Sequence, residues 1–361
     1  MRFNLILKSY FLKFISNHKT RFLDISDSPK FLILMHQNIG DMIVCSPILR
    51  EIKKAYPTSN LQVLASEANK EIALVNPYID KVYVYKNRWN KLLPLLINLR
   101  NNNYDFAIEL EAKIVTRLIL MLKIIKPKVV LAVSKAEGRY GIGPQDVFPY
   151  DYYTNINLRH QRDTCLDILR ILGINVKNKG YDIFYLEQHR KKALSFLSTF
   201  DSKKIIVGLN ITGSSDAKRI SNSDINKIIL GINSISNNIL IILLHRVEDR
   251  KWINGLISKK MSLFVFPSYE TKSVLDLAAL VDLVDLVVTP DTSIVHMACA
   301  FNKPLLAVYR NNMIAFKAWH PKSKCNDVVF SENSKDLKSL NVNLIISKIS
   351  KLVSLHIKKD L

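Results

Sequence analysis

The stretch "VVTPDTSIVHMACAFNKPLLAVYR", residues 287–310, carries the pattern that decides the fold. An apolar run that ends at Pro290 is typical of a buried strand, residues 293–301 have apolar positions at helical spacing, and residues 304–310 form a second apolar run. A strand, a helix and a strand in succession indicate parallel strands joined by a helical crossover. Four polar side chains fill the corner between the first strand and the helix: Asp291, Thr292, Ser293 and His296.

The same alternation of strands and helices runs through most of the chain. Apolar runs alternate with helical patterns from residue 31 to residue 133, with a single helix predicted over residues 41–56. The alternation starts again at residue 204 and ends with residues 304–310 as the last predicted strand. Such alternation predicts an α/β fold with mainly parallel, doubly wound sheets. Ligands bind such sheets at the carboxyl ends of the strands, so the loops that follow strands are expected to hold the functional residues.

A chain of 361 residues is long enough for two domains. We predict, in chain order, a basic amphipathic N-terminal segment, a Rossmann-like domain, a polar linker region, a second Rossmann-like domain and a C-terminal helical tail. Their expected ranges are 1–30, 31–175, 176–203, 204–330 and 331–361.

The charge of the chain is strongly basic, with 52 Lys and Arg against 31 Asp and Glu, a net charge of +21. This excess favours an anionic partner, which could be a membrane, a phosphorylated substrate or a nucleic acid. The sequence has no basic-aromatic motif for nucleic acid, so none is expected as a partner. Residues 1–30 carry six Lys and Arg against two Asp. They predict a helix that either lies on an anionic membrane surface or packs on the fold.

Several other classes of protein are disfavoured by the sequence. The apolar run over residues 114–133 is broken by cations, so no membrane-spanning helix is expected, and Lys8 and Lys13 interrupt any signal peptide. The four cysteines are far apart, which favours reduced thiols in the cytoplasm. No metal-binding cluster, Walker A loop or dinucleotide fingerprint is present, so we expect neither a metal nor a cofactor.

The loop "HQNIGDMI", residues 36–43, follows the first predicted strand. Gly40 permits a tight turn there. Asp41 lies at the start of the next helix, where a carboxylate could take a proton from an attacking hydroxyl. The alternative is that Asp41 only caps the helix, because Asp is favoured at that position.

The loop "NITGSSDAKRI", residues 210–220, follows the first strand of the second half. Small hydroxyl residues, backbone amides and cations suit a diphosphate, although a solvated surface turn would have a similar composition. The candidate ligand-binding residues in this loop are Thr212, Ser214, Lys218 and Arg219.

In the corner at residues 291–296, the helix amides and the positive end of the helix dipole favour phosphate near Thr292 and Ser293. His296 is expected on the same face, close to the same helix end. Asp291 would repel a phosphate, so it is expected to hold the loop or to accept a hydrogen bond from a hydroxyl. The alternative is a helix cap without function beside a half-buried histidine.

With these residues in view, the sequence resembles glycosyltransferase family 9, the lipopolysaccharide heptosyltransferase family, over roughly residues 31–321. The segment "IGDMIVCSPILREIKKAYP" resembles the opening motif of the family, "NPYIDKV" a later motif, and "DTSIVHMACAFNKP" the D-[ST]-G-x-x-H-x-A-x-A-x-x-x-P signature.

The resemblance implies a GT-B architecture, with two facing Rossmann-like domains and a deep cleft between them. It implies inverting, metal-independent transfer of a heptose from a nucleotide-sugar donor, by default ADP-heptose, onto the lipopolysaccharide or lipooligosaccharide core at the cytoplasmic face of the inner membrane. Asp41 then matches the catalytic base. Ser214 and Lys218 match the group that holds the donor diphosphate, and Asp291, Thr292 and His296 match the donor-binding signature.

Two residues depart from the family pattern. The family usually has Gly at the position of Ser293 and often has Gly at the position of Arg310. Gly40, Arg219 and Arg310 are candidates for contact with donor or acceptor. The departures leave open another nucleotide sugar as the donor, and also a sugar-nucleotide epimerase, a hydrolase or a degenerate nucleotide-sugar-binding protein.

Overall fold

The computed structural model describes residues 21–112, 114–133, 150–154, 159–213 and 215–357. The chain divides into two compact units, Met1–Lys179 and Gly180–Leu361. The predicted basic segment lies mostly outside the described residues, and the predicted site residue Ser214 also falls outside them.

The first unit alternates strands and helices, as its sequence predicts. Its elements are β1 (Lys30–Met35), α1 (Ile39–Cys45), α2 (Pro47–Ala55), β2 (Asn60–Ala65), α3 (Lys70–Leu74), β3 (Lys81–Val84), α4 (Trp89–Arg100), β4 (Phe106–Glu109), α5 (Thr116–Ile125), β5 (Val129–Ala132), β6 (Tyr152–Tyr153) and α6 (Gln161–Ile171).

The sheet of the first unit has the strand order β3-β2-β1-β4-β5-β6, with every neighbouring pair parallel. Residues 31–35 of β1 are almost wholly buried, which is expected of a parallel strand that helices cover on both faces. The order of the strands reverses between β1 and β4, where Leu34 is in register with Glu109.

The second unit contains the remaining helices and strands. They are α7 (Glu187–Leu197), β7 (Ile205–Asn210), α8 (Asn222–Ile235), β8 (Ile239–Leu244), α9 (Arg250–Leu256), β9 (Val265–Pro267), α10 (Val274–Leu283), β10 (Leu286–Pro290), α11 (Ser293–Ala300), β11 (Leu305–Tyr309), α12 (Met313–Trp319), β12 (Asn326–Phe330) and α13 (Val342–Ile357), with 3₁₀ turns at Asp216–Lys218, Val247–Asp249 and Met261–Leu263.

The sheet of the second unit, β12-β11-β10-β7-β8-β9, is also parallel throughout and reverses its order between β7 and β10. The last helix, α13, belongs to the core of this unit, since Ile345 and Ile349 are fully buried in it. A Cβ atom on Gly231 of α8 would lie 2.1 Å from Ile346 Cδ1, so the glycine allows the two helices to approach closely.

Three expectations need correction. The strand at residues 304–310 is not the last, because β12 extends the sheet beyond it. The single helix predicted over residues 41–56 is two helices that meet at Ser46, where Pro47 starts α2. A further helix, α7, occupies part of the polar range predicted as a linker.

Candidate functional site

Most of the predicted site residues follow the strands at which the two sheets reverse their order. Such reversal points form a crevice at the carboxyl edge of a doubly wound sheet, where ligands bind. In the first unit, Asp41 follows β1. In the second unit, Lys218 follows β7, and Asp291 and the residues after it follow β10.

Asp41 is the third residue of α1 and takes part in a capping box with the N-cap residue Asn38. The backbone N–H of Asn38 donates a hydrogen bond of 3.0 Å to Asp41 Oδ2. Burial raises the pKa of the Asp41 carboxyl, hydrogen bonds with Asn38 oppose the rise, and the negative charge of Glu111 adds to it. Asp41 therefore caps the helix and is also easier to protonate than an ordinary aspartate.

The tight turn predicted at Gly40 is absent. Helix α1 already begins at Ile39, and among the described glycines only Gly173 has a positive φ. Asn38, in an extended conformation, makes the entry into the helix instead.

Three further polar residues, which the sequence did not single out, interact electrostatically with Asp41 or with one another: His36, Glu111 and Arg117. Burial lowers the pKa of His36, Glu111 opposes this, and the positive charge of Arg117 adds to it. His36 Nδ1 is buried and has no hydrogen-bond partner among the described residues. Glu111 follows β4, the neighbour of β1, and its backbone N–H donates to Glu109 Oε1 at 2.6 Å. Their positions after neighbouring parallel strands were the signal that would have found them.

In the second unit, Lys218 and Asp291 form an ion pair. Lys218 Nζ lies 2.7 Å from Asp291 Oδ2 and donates to the backbone oxygen of Asp291 at 3.0 Å. The loop before Lys218 folds tightly, because a Cβ atom on Gly213 would lie 2.3 Å from Lys218 Cβ. Of the two roles expected for Asp291, the arrangement matches that of holding a loop.

A buried hydrogen-bond network, absent from the sequence-based predictions, supports this pair. Asn210, the last residue of β7, donates through Nδ2 to Thr289 Oγ1 at 2.9 Å and to Thr292 Oγ1 at 3.3 Å. Asn210 Oδ1 accepts from the backbone N–H of Thr212 at 3.2 Å. Thr292 is the N-cap of α11, since its hydroxyl accepts from the Ile294 N–H. A single amide thus aligns the ends of β7 and β10.

His296 lies in α11 and is buried rather than half-buried, with 4% of its surface exposed. Its ring centroid lies 6.2 Å from that of Tyr181 and 5.9 Å from that of Trp319. Burial lowers the pKa of His296 to about 4, with the charge of Asp291 opposing and that of Lys218 adding to the effect. Nδ1 has no hydrogen-bond partner within the described part of the chain. At neutral pH the ring is therefore uncharged.

Of the other predicted contact residues, two are held by partners outside this cluster and one is partly exposed. The Arg219 guanidinium lies 4.4 Å from the centroid of the Trp252 ring and 3.4 Å from Asp249 Oδ1, so it is held against α9. Arg310 Nη1 donates to the Lys335 backbone oxygen at 3.3 Å. Ser293 is the first residue of α11 and is partly exposed.

The described residues contain no group of three or more His, Cys, Asp or Glu arranged to hold a metal ion. In the part of the chain that the structure describes, no helix is both long enough and apolar enough to cross a bilayer.

Known proteins resemble this chain over most of its length. Lipopolysaccharide heptosyltransferase 3 of Escherichia coli K12 is 22% identical over 301 residues, which cover 78% of this chain and 82% of the relative. A glycosyl transferase family 9 structure from Veillonella parvula DSM 2008 superposes with a TM-score of 0.75 at 18% identity, covering 91% of this chain and 99% of that one. The E. coli heptosyltransferase WaaC, solved with ADP, has a TM-score of 0.69 at 18% identity, covering 90% and 98%.

These likenesses and the two six-stranded parallel sheets confirm the predicted α/β class and the GT-B type of fold. A model of "Glycosyltransferase family 9 (heptosyltransferase)" matches residues 93–345, which include Lys218, Asp291 and His296 and begin after Asp41. Because that match spans more than half of the chain, the protein belongs to glycosyltransferase family 9, the heptosyltransferase family, and is a glycosyltransferase.

Proposed function

We propose that this protein is an inverting, metal-independent heptosyltransferase that moves a heptose from ADP-heptose onto the lipopolysaccharide or lipooligosaccharide core. The observation that carries the proposal is the Lys218–Asp291 pair beside the start of α11, in a member of a heptosyltransferase family. A fixed cation next to a helix N-terminus is an arrangement that favours binding of a diphosphate.

In the proposed reaction, the second unit holds the donor. An ammonium group has three N–H donors, and Asp291 accepts from two directions, through its carboxylate and its backbone oxygen. The third N–H is then available for a phosphate oxygen. The amides at the start of α11, near Thr292 and Ser293, add positive potential, and we propose that Ser214 donates a further hydrogen bond. Charge that develops on the departing diphosphate is stabilised without a divalent ion.

Asp41 serves as the general base in this mechanism. The acceptor hydroxyl gives its proton to the Asp41 carboxylate, and its oxygen forms a bond to the anomeric carbon of the donor. The bond from that carbon to the diphosphate oxygen breaks, and the diphosphate leaves with the electron pair. Because attack comes from the face opposite the leaving group, the anomeric configuration inverts. The raised pKa of Asp41 suits a base that must accept a proton in the transition state.

The proposed acceptor is anionic and is presented at the cytoplasmic face of the inner membrane. The net charge of +21 supports this partner, because phosphorylated core sugars and the membrane surface are both negative. The nucleotide of the donor rests on the WaaC likeness, since that structure contains ADP. Ser293 and Arg310 depart from the family pattern. We propose that they affect which sugar is bound and how the diphosphate is held.

A nucleotide screen tests the proposed donor. Thermal shifts with ADP, UDP, GDP and CMP should show stabilisation by ADP above the other three, because at equal concentration the ligand that binds the folded state more tightly stabilises it more. A clear shift with UDP and none with ADP would overturn the assignment of ADP-heptose. A donor that is epimerised or hydrolysed in the absence of an acceptor would instead favour an epimerase or a hydrolase.

A further inference from the structure

Helix α4 is apolar on two faces, one of which is exposed. Leu92, Leu96 and Leu99 are fully buried against the first sheet. On a second face, turned by roughly 90° from the buried one, Trp89, Leu93 and Ile97 are 44%, 45% and 50% exposed. Positions four apart on an α-helix are offset by only about 40° around its axis, so these three form one stripe. An exposed apolar stripe of this kind marks an interaction surface rather than a scattered set of surface residues.

The segment of the chain that carries this stripe is basic. Residues 81–104 contain five Lys or Arg and no Asp or Glu: Lys81, Lys86, Arg88, Lys91 and Arg100. Lys86 pairs with Glu67. Within the described ranges, Arg88, Lys91 and Arg100 have no ion-pair partner. At roughly 100° per residue, Arg100 projects within the arc of the stripe, whereas Lys91 projects about 160° from Leu93, on the far side of the helix. An apolar stripe that carries an unpaired cation matches the interface of an anionic bilayer, where the apolar groups enter the acyl boundary and the cation meets lipid phosphates.

The stripe begins at the same edge of the first sheet as the candidate base. The Arg117 guanidinium carbon lies 5.0 Å from the centroid of the Trp89 ring and 5.2 Å from that of Tyr85. The charge of Arg117 acts on His36, and Glu111 acts on both His36 and Asp41. Trp89 therefore lies at the same carboxyl edge of the first sheet as Asp41, and the rest of the stripe runs away from that edge along α4.

We infer that the exposed face of α4 is a membrane-docking surface, on which the protein lies against an anionic phospholipid bilayer. Trp89, Leu93 and Ile97 enter the boundary between headgroups and acyl chains, while Arg88, at the start of the helix, and Arg100, within the arc of the stripe, bind lipid phosphates. The orientation brings the carboxyl edge that bears Asp41 to the membrane surface, where the sugar of a lipid-anchored acceptor is displayed. That last consequence rests on the proposed function, whereas the docking surface does not.

The direct test is flotation of the full-length protein with vesicles, without donor or acceptor. Vesicles of phosphatidylglycerol and phosphatidylcholine in equal parts are compared with vesicles of phosphatidylcholine alone. The double variant Leu93→Gln/Ile97→Gln should bind the anionic vesicles roughly tenfold more weakly than the wild type, since it loses apolar contact with the bilayer. The matched control Leu230→Gln/Leu344→Gln removes two leucines that are similarly exposed in the second unit and should bind like the wild type.

A separate set of variants tests the charges in the same flotation experiment. Arg100→Gln should weaken binding to anionic vesicles by roughly fivefold, whereas Lys91→Gln, which removes a cation from the far side of the same helix, should have little effect. Lys259→Gln and Lys260→Gln, which remove exposed cations from the second unit, should have little effect. Equal binding by the α4 variants and their controls would overturn the inference, as would equal binding to both kinds of vesicle.

Residues 1–30 could also bind lipid, so the comparison is repeated in a Phe11→Ser/Phe14→Ser background. The difference between the α4 variants and their controls should persist there. Tryptophan fluorescence gives an independent readout, since the chain has three tryptophans, Trp89, Trp252 and Trp319. Lipids with brominated acyl chains should quench the wild type, and Trp89→Phe should abolish that quenching. Loss of the effect in the serine background, or quenching that survives Trp89→Phe, would contradict the assignment to α4.

Two further outcomes distinguish membrane docking from self-association and from catalysis. If the wild type dimerises in solution, does not float with vesicles, and Leu93→Gln/Ile97→Gln makes it monomeric, then α4 is an interface between copies and the inference fails. If the protein floats as described but shows no heptosyl transfer, the proposed function fails and the docking surface stands. With an active enzyme, Leu93→Gln/Ile97→Gln should lower transfer to an acceptor in vesicles and leave transfer to a deacylated, water-soluble acceptor unchanged.

Discussion

Lys218 Nζ lies 2.7 Å from Oδ2 of Asp291 and 3.0 Å from the backbone oxygen of the same residue, so one cation joins the loop after β7 to the loop after β10. The two residues are 73 positions apart in the chain and are each about one-quarter exposed. At such exposure the pair contributes little to stability. Its role is to hold the Lys218 cation in place beside the N-terminus of α11.

Replacement of Lys218 tests that role. Lys218→Gln should lower kcat by about 100-fold or more, because the departing diphosphate loses its cation. Arg219→Gln is the matched control, since Arg219 is the adjacent cation and is held against Trp252. The control should retain kcat to within about threefold. Steady-state kinetics on both variants make the comparison, and equal losses would show that general charge, rather than Lys218, matters.

Gly213 is required for the fold of the same loop. Gly213→Ala should raise the Kd for the donor nucleotide about tenfold, because the added Cβ would lie 2.3 Å from Lys218 Cβ and 2.7 Å from its backbone oxygen. Gly255→Ala in α9 is the control, since its Cβ would meet nothing within 4 Å. Titration calorimetry with ADP measures both. Unchanged affinity in Gly213→Ala would mean that the loop can shift without moving Lys218.

The Asn210 network should affect stability as well as binding. Asn210 is buried, and Asn210→Ala leaves the hydroxyls of Thr289 and Thr292 and the N–H of Thr212 with fewer partners. We expect a loss of about 2 kcal/mol, or about 4–8 °C in the melting temperature of the second unit. Asn238→Ala removes an exposed bond to the Lys203 backbone oxygen and should shift melting by less than about 2 °C. Similar shifts in a thermal melt would refute the network's importance.

Asp41→Asn separates catalysis from capping. An amide oxygen can still accept the hydrogen bond from Asn38, so the helix start should survive. Transfer should fall by about 100- to 10,000-fold, and ADP affinity should remain. Because burial raises the pKa of Asp41, its ionised form costs stability at neutral pH, and Asp41→Asn should not lower the melting temperature there. A variant that retains full transfer would remove Asp41 as the base.

The raised pKa of Asp41 also fixes the direction of the pH profile. The base must be ionised to act, so kcat/KM should fall as the pH drops through a value above that of an ordinary aspartate. The residual activity of Asp41→Glu depends on a different carboxylate, so the acidic limb of its profile, where kcat/KM falls, should lie at a different pH. An acidic limb that stays in place in Asp41→Glu would assign it to a different group.

His296 should make the second unit sensitive to acid. Its pKa is about 4 in the folded protein and near 6.5 when exposed, so the unfolded state binds more protons between these values. Stability should therefore fall with decreasing pH in this window, by up to about 1.4 kcal/mol per pH unit. His296→Phe and His296→Gln cannot titrate and should show a shallower fall in melting temperature. Parallel curves for the wild type and both variants would contradict the buried, neutral state of His296.

The alternation of apolar runs predicted the α/β class and most of the strands, because buried parallel strands are continuously hydrophobic. It missed β12, "NDVVF", whose residues are mainly half-buried at the edge of the sheet and so need fewer apolar side chains. It missed α7 for a related reason. Only His189 and Ala193 of that helix are buried, so its apolar pattern is too weak to see.

The sequence predicted that the candidate residues follow strands, but it did not predict which residues they contact. Asp41, Lys218 and Asp291 could be placed at strand ends from the sequence, because loops after strands are local features. The contacts of Asn210 with Thr289 span 79 positions and depend on β7 lying beside β10, which alternation alone does not specify. Similarly, nothing local in the sequence shows that Arg219 turns to Trp252 while its neighbour Lys218 binds Asp291.

We propose above that the protein transfers a heptose with inversion and with Asp41 as the base. The most direct measurement is product analysis with ADP-heptose, in the presence and absence of a lipopolysaccharide-core acceptor, on the wild type and Asp41→Asn. We expect ADP and a heptosylated acceptor of inverted anomeric configuration in equal amounts, only when the acceptor is present and only for the wild type. Release of ADP without acceptor, retention of configuration, or undiminished transfer by Asp41→Asn would contradict it.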